Sequence, residues 1–238
     1  MAPRQRPAAK RARRGTLARP LDALMFLLPL ILFYEIASFG RQERVIAFDF
    51  LHRFFELFGQ VGMWAPGLAV IVILLATHIA SGDKWSIRWG RVGLMYVESL
   101  ALCVPLLLLN WAVPLMAASS ESSLLQRMAL SIGAGIYEEL LFRLILISLM
   151  VMIGVDLLRL DRAAVAVTAI LLSSLVFAAH HHPPIGAEPF DAVRFLFRTM
   201  AGVYLAAIFW FRGYGPAAGC HAAYNLTLVI LGAVTAGN

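Results

Sequence analysis

The sequence predicts an all-α polytopic membrane protein, a bundle of about seven to eight transmembrane helices. Hydrophobic residues make up 61% of the 238 residues and charged residues only 14%, whereas a soluble domain is about half apolar and a quarter charged. The apolar residues also fall in runs of about 20, which is the length that one helix needs to cross a bilayer. Runs of this kind use most of the chain and leave no room for a separate soluble domain.

Seven apolar runs are predicted to be membrane spans. Pro183 and Pro184 follow the fifth run and are expected to end its helix, while Pro216 suits the first turn of the seventh. The runs are 21–39, 62–81, 92–117, 128–154, 163–182, 194–212 and 216–236. Between the first two, residues 45–60 carry charged side chains at three- and four-residue spacing in an otherwise apolar segment. This pattern favours either a helix lying in the membrane interface or a short eighth span.

The basic residues indicate the domain organisation and the orientation. Residues 1–20 contain seven Lys and Arg and no acidic residue, which predicts a disordered cytosolic tail against anionic lipid. No aromatic side chains accompany these charges for base stacking, so we expect no nucleic-acid partner. Residues 21–238 are predicted to form one membrane-embedded domain.

Counting basic residues predicts how this domain is oriented. With the amino terminus inside, the inner segments carry 13 Lys and Arg and the outer segments 6. This excess predicts a cytosolic amino terminus, in the plasma membrane of a bacterium. An eighth span would keep the tail inside but would reverse every later segment.

Three charged residues interrupt the fourth apolar run. Glu138, Glu139 and Arg143 lie within six residues of one another, and each charge costs about 2.5–3.5 kcal/mol at the centre of a bilayer. On a helix, Glu139 and Arg143 share a face and are expected to neutralise each other as a supporting ion pair. Glu138 points about 100° away from Glu139. Because it lacks that partner, we expect it to act as a general base on water.

Two further runs carry polar side chains that suit hydrolysis. Phe177 and His181 are four residues apart near the end of the fifth run, and a histidine flanks His181 on each side. His221 and Asn225 are also four apart, and together they can donate hydrogen bonds to one developing oxyanion. If both runs were ideal full-length spans, His181 and His221 would lie at different depths. Their convergence therefore requires different helix boundaries, or a segment at 183–196 that dips back towards the centre.

The three motifs, in this order, resemble those of the CPBP family, the CAAX-protease and bacteriocin-processing family. They are EExxxR at residues 138–143, FxxxH at 177–181 and HxxxN at 221–225, and the resemblance covers about residues 92–236. It implies an intramembrane endopeptidase of the glutamic type, with no metal or other cofactor, that cleaves a membrane-anchored protein or peptide.

The resemblance also implies a role for each matching residue. A glutamate activates water with the help of the second-motif histidine, and the third motif supplies the oxyanion hole. Carried over to this sequence, the catalytic residues are Glu138, His181, His221 and Asn225, and the supporting residues are Glu139, Arg143 and Phe177.

Two other functions fit the same residues. Two histidines and a glutamate suffice as ligands of a catalytic zinc ion, although the sequence has no HExxH and these residues lie on different helices. Alternatively, the intramembrane charges belong to a transporter or a non-catalytic scaffold, in which Glu35, Glu98 and Asn110 in other spans would complete a relay.

Overall fold

The structure is a computed structural model that describes residues 18–38, 64–112, 123–186 and 188–236. These residues form helices and no strand. Six of the helices are long and apolar enough to cross a membrane, and one is a shorter apolar helix. In chain order they are α1 Pro20–Ser38, α2 Ala65–Ser81, α3 Trp89–Ala112, α4 Leu124–Leu157, α5 Arg162–Ala179, α6 Ala192–Arg212 and α7 Tyr214–Ala236. The predicted all-α polytopic membrane bundle is therefore confirmed. The segment at 45–60 and the tail up to residue 17 lie outside the described residues.

Helices α1 and α2 are antiparallel neighbours. A Cβ atom added to Gly67, near the start of α2, would lie 2.8 Å from Oε1 of Glu35, near the end of α1. At the other end of the bundle, the backbone N–H of Ala18 donates to the carbonyl of Arg212, where α6 ends, at 2.9 Å. We call this end the tail face. The end of α1 and the start of α2 therefore both lie at the face opposite the tail face.

Charged residues hold the tail face together. Asp22 on α1 is fully buried and forms ion pairs with Arg19 and Arg88, at 3.2 and 2.6 Å. Arg212 pairs with Glu98 on α3. A buried carboxylate is tolerated when such partners neutralise it. Residues 18–20, which the sequence assigned to the tail, are thus part of the folded bundle.

Helix α4 changes its hydrogen-bonding pattern directly after the two glutamates. Leu124–Glu139 is α-helical, Leu140–Ile147 is π-helical, and an α-helical and a second π-helical turn follow. A π-helical turn uses i→i+5 hydrogen bonds, and such turns are frequent at functional sites. The predicted span 128–154 therefore lies inside one 34-residue helix whose geometry changes beside the charged residues.

A glycine brings α4 and α7 into close contact. A Cβ atom added to Gly135 would lie 2.4 Å from the backbone nitrogen of Ala222 and 2.6 Å from its Cα atom. No side chain fits in that space, so the two backbones can approach only because this residue is glycine. The contact places Glu138 and Glu139, one turn further along α4, beside His221 on α7.

Helix α5 ends before the three histidines, not after them as the two prolines predicted. Ala179 is the last helical residue, and residues 180–186 form turns in which the backbone N–H groups of Ile185 and Gly186 donate to the carbonyl of His182. The hydroxyl of Ser173 donates to the carbonyl of Phe142 at 2.7 Å and fixes α5 against α4. The histidines therefore occupy a turn that lies against α4.

Candidate active site

The four predicted catalytic residues line one cavity. Its volume is about 520 Å³, and its wall contains residues of α3, α4, α6 and α7 and of the end of α5. Glu138, His181, His221 and Asn225 all contribute to this wall. Much of the remaining wall is apolar and includes Leu106, Leu205, Leu228 and Leu231. The structure thus brings together residues that three separate helices carry.

The depth difference expected from full-length spans does not occur. Nε2 of His221 lies 3.9 Å from Oε2 of Glu138. On the other side, one ligand-type atom from each of Glu138, His180 and His181 lies within 4.8 Å of the others. Because α5 ends at Ala179 and His221 lies two turns inside α7, the histidines reach the level of Glu138 from opposite directions.

The carbonyl oxygen of Phe177 orients two of the histidines. It lies within hydrogen-bond distance of Nδ1 of His180 and of Nδ1 of His181, at 3.0 Å for the latter. This carbonyl belongs to the last turn of α5, where helices leave carbonyl groups without backbone partners. Since a carbonyl only accepts, we assign the proton of each neutral ring to Nδ1. The Nε2 atoms are then acceptors, and that of His180 lies 3.8 Å from Oε1 of Glu138.

His180 therefore faces Glu138 through an acceptor nitrogen, and one ring nitrogen of His181 lies within 4.8 Å of the same group. The carboxylate of Glu138 and the Nε2 atoms of His180 and His181 have no proton to share in these forms. These three acceptor groups together can bind a proton, a water molecule or a cation, because each of these supplies a donor hydrogen or a positive charge. His181 also lines the cavity, whereas the ring of His180 is buried behind it.

On the other side of Glu138, a chain of charged groups holds His221. Nδ1 of His221 lies 3.0 Å from Oε1 of Glu139, and Oε2 of Glu139 lies 3.1 Å from Nε of Arg143. The side chains of Glu139 and Arg143 are fully buried. Arg143 also donates to the carbonyl of Gly202 on α6 at 3.2 Å. The ion pair expected from the sequence is present, but the link to His221 joins residues 82 positions apart, and no sequence pattern indicates it.

Phe177 packs at the centre of these groups. Its ring centroid lies 5.4 Å from that of His181 and 5.8 Å from that of His221. The guanidinium of Arg143 lies over the same ring, 4.4 Å from its centroid. One aromatic side chain therefore separates the two histidines and covers the buried cation.

A second polar group in the cavity wall was not identified from the sequence. Nη2 of Arg198 on α6 donates to both carboxylate oxygens of Glu188, at 2.8 and 2.9 Å. Arg194, one turn nearer the start of α6, lies 3.6 Å from the same carboxylate. Burial raises the pKa of Glu188, but the hydrogen bonds and charge of Arg198 outweigh it and hold the pKa below its usual value. The count of basic residues treats Arg194 and Arg198 only as charges on the non-cytosolic side.

The comparison with known families agrees with this geometry. Residues 120–227 match the family described as type II CAAX prenyl endopeptidase, Rce1-like. This range contains all three motifs and every charged residue and histidine of the site described above. These residues belong to the CPBP family of membrane proteases. The chain is thus an integral, multi-pass membrane protein with a CPBP segment around its cavity. No curated protein and no solved structure matched the chain.

Proposed function

We propose that the protein is a membrane-embedded endopeptidase of the glutamic type that hydrolyses a peptide bond of a membrane-anchored protein. One observation carries this proposal: Glu138, His181, His221 and Asn225 converge on one cavity of about 520 Å³. The apolar part of the wall suits a substrate that arrives from the bilayer. The match to a protease family over residues 120–227 supports the same reaction class.

In the proposed reaction, Glu138 is the general base. A water molecule between Glu138 and His181 donates one O–H to the carboxylate and the other to Nε2, so its lone pair points at a substrate carbonyl in the cavity. As the new C–O bond forms, the proton passes to Glu138. Glu138 then returns the proton to the leaving nitrogen as the peptide bond breaks, which is general acid–base catalysis by one group.

His221 and Asn225 stabilise the oxyanion of the tetrahedral intermediate. The side-chain amide of Asn225 has N–H donors in the cavity wall. Nδ1 of His221 faces a carboxylate and so carries a proton, and donation from Nε2 therefore uses the imidazolium form, flanked by Glu139 and Glu138. Removing one oxyanion donor typically lowers kcat by about 10²–10³.

The antiparallel arrangement and the charges support one orientation in the membrane. The basic tail precedes α1 at the tail face, whereas the cavity wall extends to Gly232 and Thr235 at the far end of α7. We place the tail in the cytosol because Lys and Arg accumulate on the cytosolic side. The cavity then extends towards the non-cytosolic side of the membrane.

A zinc peptidase is the second candidate, because Glu138, His180 and His181 present ligand atoms within 4.8 Å of one another. Zinc bonds of 2.0–2.2 Å require ligand atoms about 3.4 Å apart, so these side chains would have to move together. Metal analysis of protein purified without chelator separates the two candidates. Stoichiometric zinc, with activity lost on chelation, favours the zinc enzyme, and full activity without metal favours the glutamic type.

The test of the proposed function is Glu138→Gln. We expect this variant to accumulate and melt like the wild type but to lose cleavage, measured by mass spectrometry as new protein termini in membranes of expressing cells. Asp156→Asn is a matched control, because it makes the same chemical change at an exposed position on the same helix. Cleavage retained in Glu138→Gln would end the proposal.

A further inference from the structure

We propose that Arg198 forms a carboxylate-binding subsite for the substrate inside the cavity, an inference that rests on the proposed peptidase function. Arg198 is the one Lys or Arg among the described residues of the cavity wall. Its side chain lines the cavity and is 19% exposed, so the charge is largely shielded from bulk water. A positive charge in such a place attracts anions more strongly than a charge in water does.

The guanidinium has unused donors. Both hydrogen bonds to Glu188 come from Nη2, at 2.8 and 2.9 Å. Nη1 is buried and has no hydrogen-bond partner among the described residues. Guanidinium groups bind carboxylates best through two parallel N–H groups. A buried donor without an acceptor is unfavourable, and a carboxylate that enters the cavity relieves this by supplying one.

The neighbouring charges leave the cluster positive. Glu188 is shared between Arg198 and Arg194, which lies 3.6 Å away, so two guanidinium groups face one carboxylate. The charge of Arg198 is therefore only partly neutralised. Arg194 is the more exposed of the two, and it does not line the cavity.

The cluster is connected to the proposed catalytic residues. The backbone N–H of Glu188 donates to the carbonyl of His181 at 3.2 Å. Along α6, Arg198 lies four residues, or about 6 Å, from Gly202, whose carbonyl accepts from Arg143. An extended peptide advances about 3.3 Å per residue. A carboxylate at Arg198 therefore belongs to a substrate residue only a few positions from the bond that is cut.

Two substrate groups have this chemistry: a free carboxyl terminus and an Asp or Glu side chain. Three dansyl-labelled hexapeptides of one apolar sequence distinguish them. The first ends in a free carboxylate, the second in a carboxamide, and the third in a carboxamide with one internal Asp. Affinities are measured by fluorescence in lipid nanodiscs with the Glu138→Gln protein, so that no peptide is cleaved.

We expect at least one carboxylate peptide to bind about tenfold more tightly than the neutral peptide, a size that matches one charged hydrogen-bond pair. If only the first peptide binds more tightly than the neutral one, the subsite binds a free carboxyl terminus. If only the third does, the subsite binds an acidic side chain. Adding Arg198→Gln should remove the gain and leave the affinity for the neutral peptide unchanged. Arg198→Lys keeps the positive charge but not the two parallel N–H groups, so it should retain part of the gain in affinity.

Two controls separate recognition from structure. Arg194→Gln also removes a cation from Glu188, but outside the cavity wall, and should preserve the carboxylate preference. Glu188→Gln removes the competing negative charge and should strengthen the carboxylate preference. Equal binding of all three peptides, no binding of any, or an equal loss for all three with Arg198→Gln would overturn the subsite.

Failure of the carboxylate subsite can be distinguished from failure of the proposed peptidase function. If the wild type cleaves neutral and acidic peptides equally well, the peptidase stands and the subsite fails. If the carboxylate preference is found but the wild type cleaves nothing, the subsite stands and the peptidase fails.

Discussion

Nδ1 of His221 lies 3.0 Å from Oε1 of Glu139, although the two residues are 82 positions apart. Glu139 therefore does more than neutralise Arg143. It fixes the ring of His221 so that Nε2 faces Glu138 at 3.9 Å. Arg143, Glu139, His221 and Glu138 form a chain of neighbouring ionisable side chains that joins α4 to α7.

Replacing Glu139 by Gln should destabilise the protein strongly. Arg143 is fully buried, and removing its carboxylate leaves an unpaired buried charge, which typically costs about 3–5 kcal/mol. The unfolding midpoint in mixed micelles measures the loss. Glu138→Gln is the comparison, since no Lys or Arg among the described residues forms an ion pair with Glu138 and its loss should leave the midpoint nearly unchanged. Equal midpoints for the two variants would contradict the proposed role of Glu139.

Gly135→Ala should separate α4 from α7. The new methyl group would lie 2.4–2.7 Å from Ala222, and overpacking of this kind costs about 1–3 kcal/mol. Because the contact sets the distance between Glu138 and His221, we expect activity to fall more than stability. Gly93→Ala is the matched control, since a Cβ atom there meets nothing within 4 Å. The prediction fails if both variants cleave substrate at the wild-type rate.

The three histidines should differ in their contribution to the rate. His181 lines the cavity next to Glu138, so His181→Gln should lower kcat by about 10²–10⁴, the range for a lost acid–base group. His180 is buried behind it, and His180→Gln should act mainly through the position of Glu138. Nδ1 of His182 instead donates to the carbonyl of Glu188 at 3.1 Å, and the ring packs against Phe190. His182→Gln should therefore retain the most activity of the three variants. If His182→Gln instead loses the most activity, the assignment of His181 is wrong.

Cysteine labelling tests which side of the membrane the cavity faces. Thr235→Cys lies at the cavity end of α7, and Lys84→Cys lies in the exposed loop between α2 and α3 at the tail face. If the tail is cytosolic, a membrane-impermeant maleimide should label the first variant in intact cells and the second only after lysis. The native Cys103 and Cys220 are buried and should stay unlabelled. The reverse pattern would place the tail outside and leave the helix arrangement as described.

The sequence predicted the spans well because hydrophobicity is a local property. In the described part of the chain all seven predicted runs lie on helices, six of them long enough to cross a membrane, and the differences are at the ends, as for α5, which ends at Ala179 rather than at 182. Helix ends depend on tertiary partners: the turn after Ala179 is held by Gly186, where an added Cβ would lie 2.2 Å from the carbonyl group of His181. Pro183 and Pro184 alone did not indicate that Gly186 packs against the backbone of His181.

The predicted site residues meet, but several of their partners were not predicted. Four-residue spacing indicated the pair Glu139–Arg143, because i,i+4 neighbours lie on one helix face. Residue spacing within one helix does not predict contacts between different segments, such as that of Glu139 with His221 or that of Arg198 with the segment after His181. The π-helical turn at Leu140–Ile147 likewise has no sequence pattern that distinguishes it from an ordinary helix.

The size of the cavity limits the shape in which a substrate is cut. An α-helix about 10 Å wide fills roughly 420 Å³ per turn, so a volume of about 520 Å³ admits little more than one turn. If the protein is the proposed peptidase, we expect a transmembrane helix to unwind near the cleaved bond before that bond reaches Glu138. Unwinding costs least where glycine or proline weakens the helix. Local helix stability of the substrate would then act as a filter on the cleavage rate, in addition to the identity of the side chains around the bond.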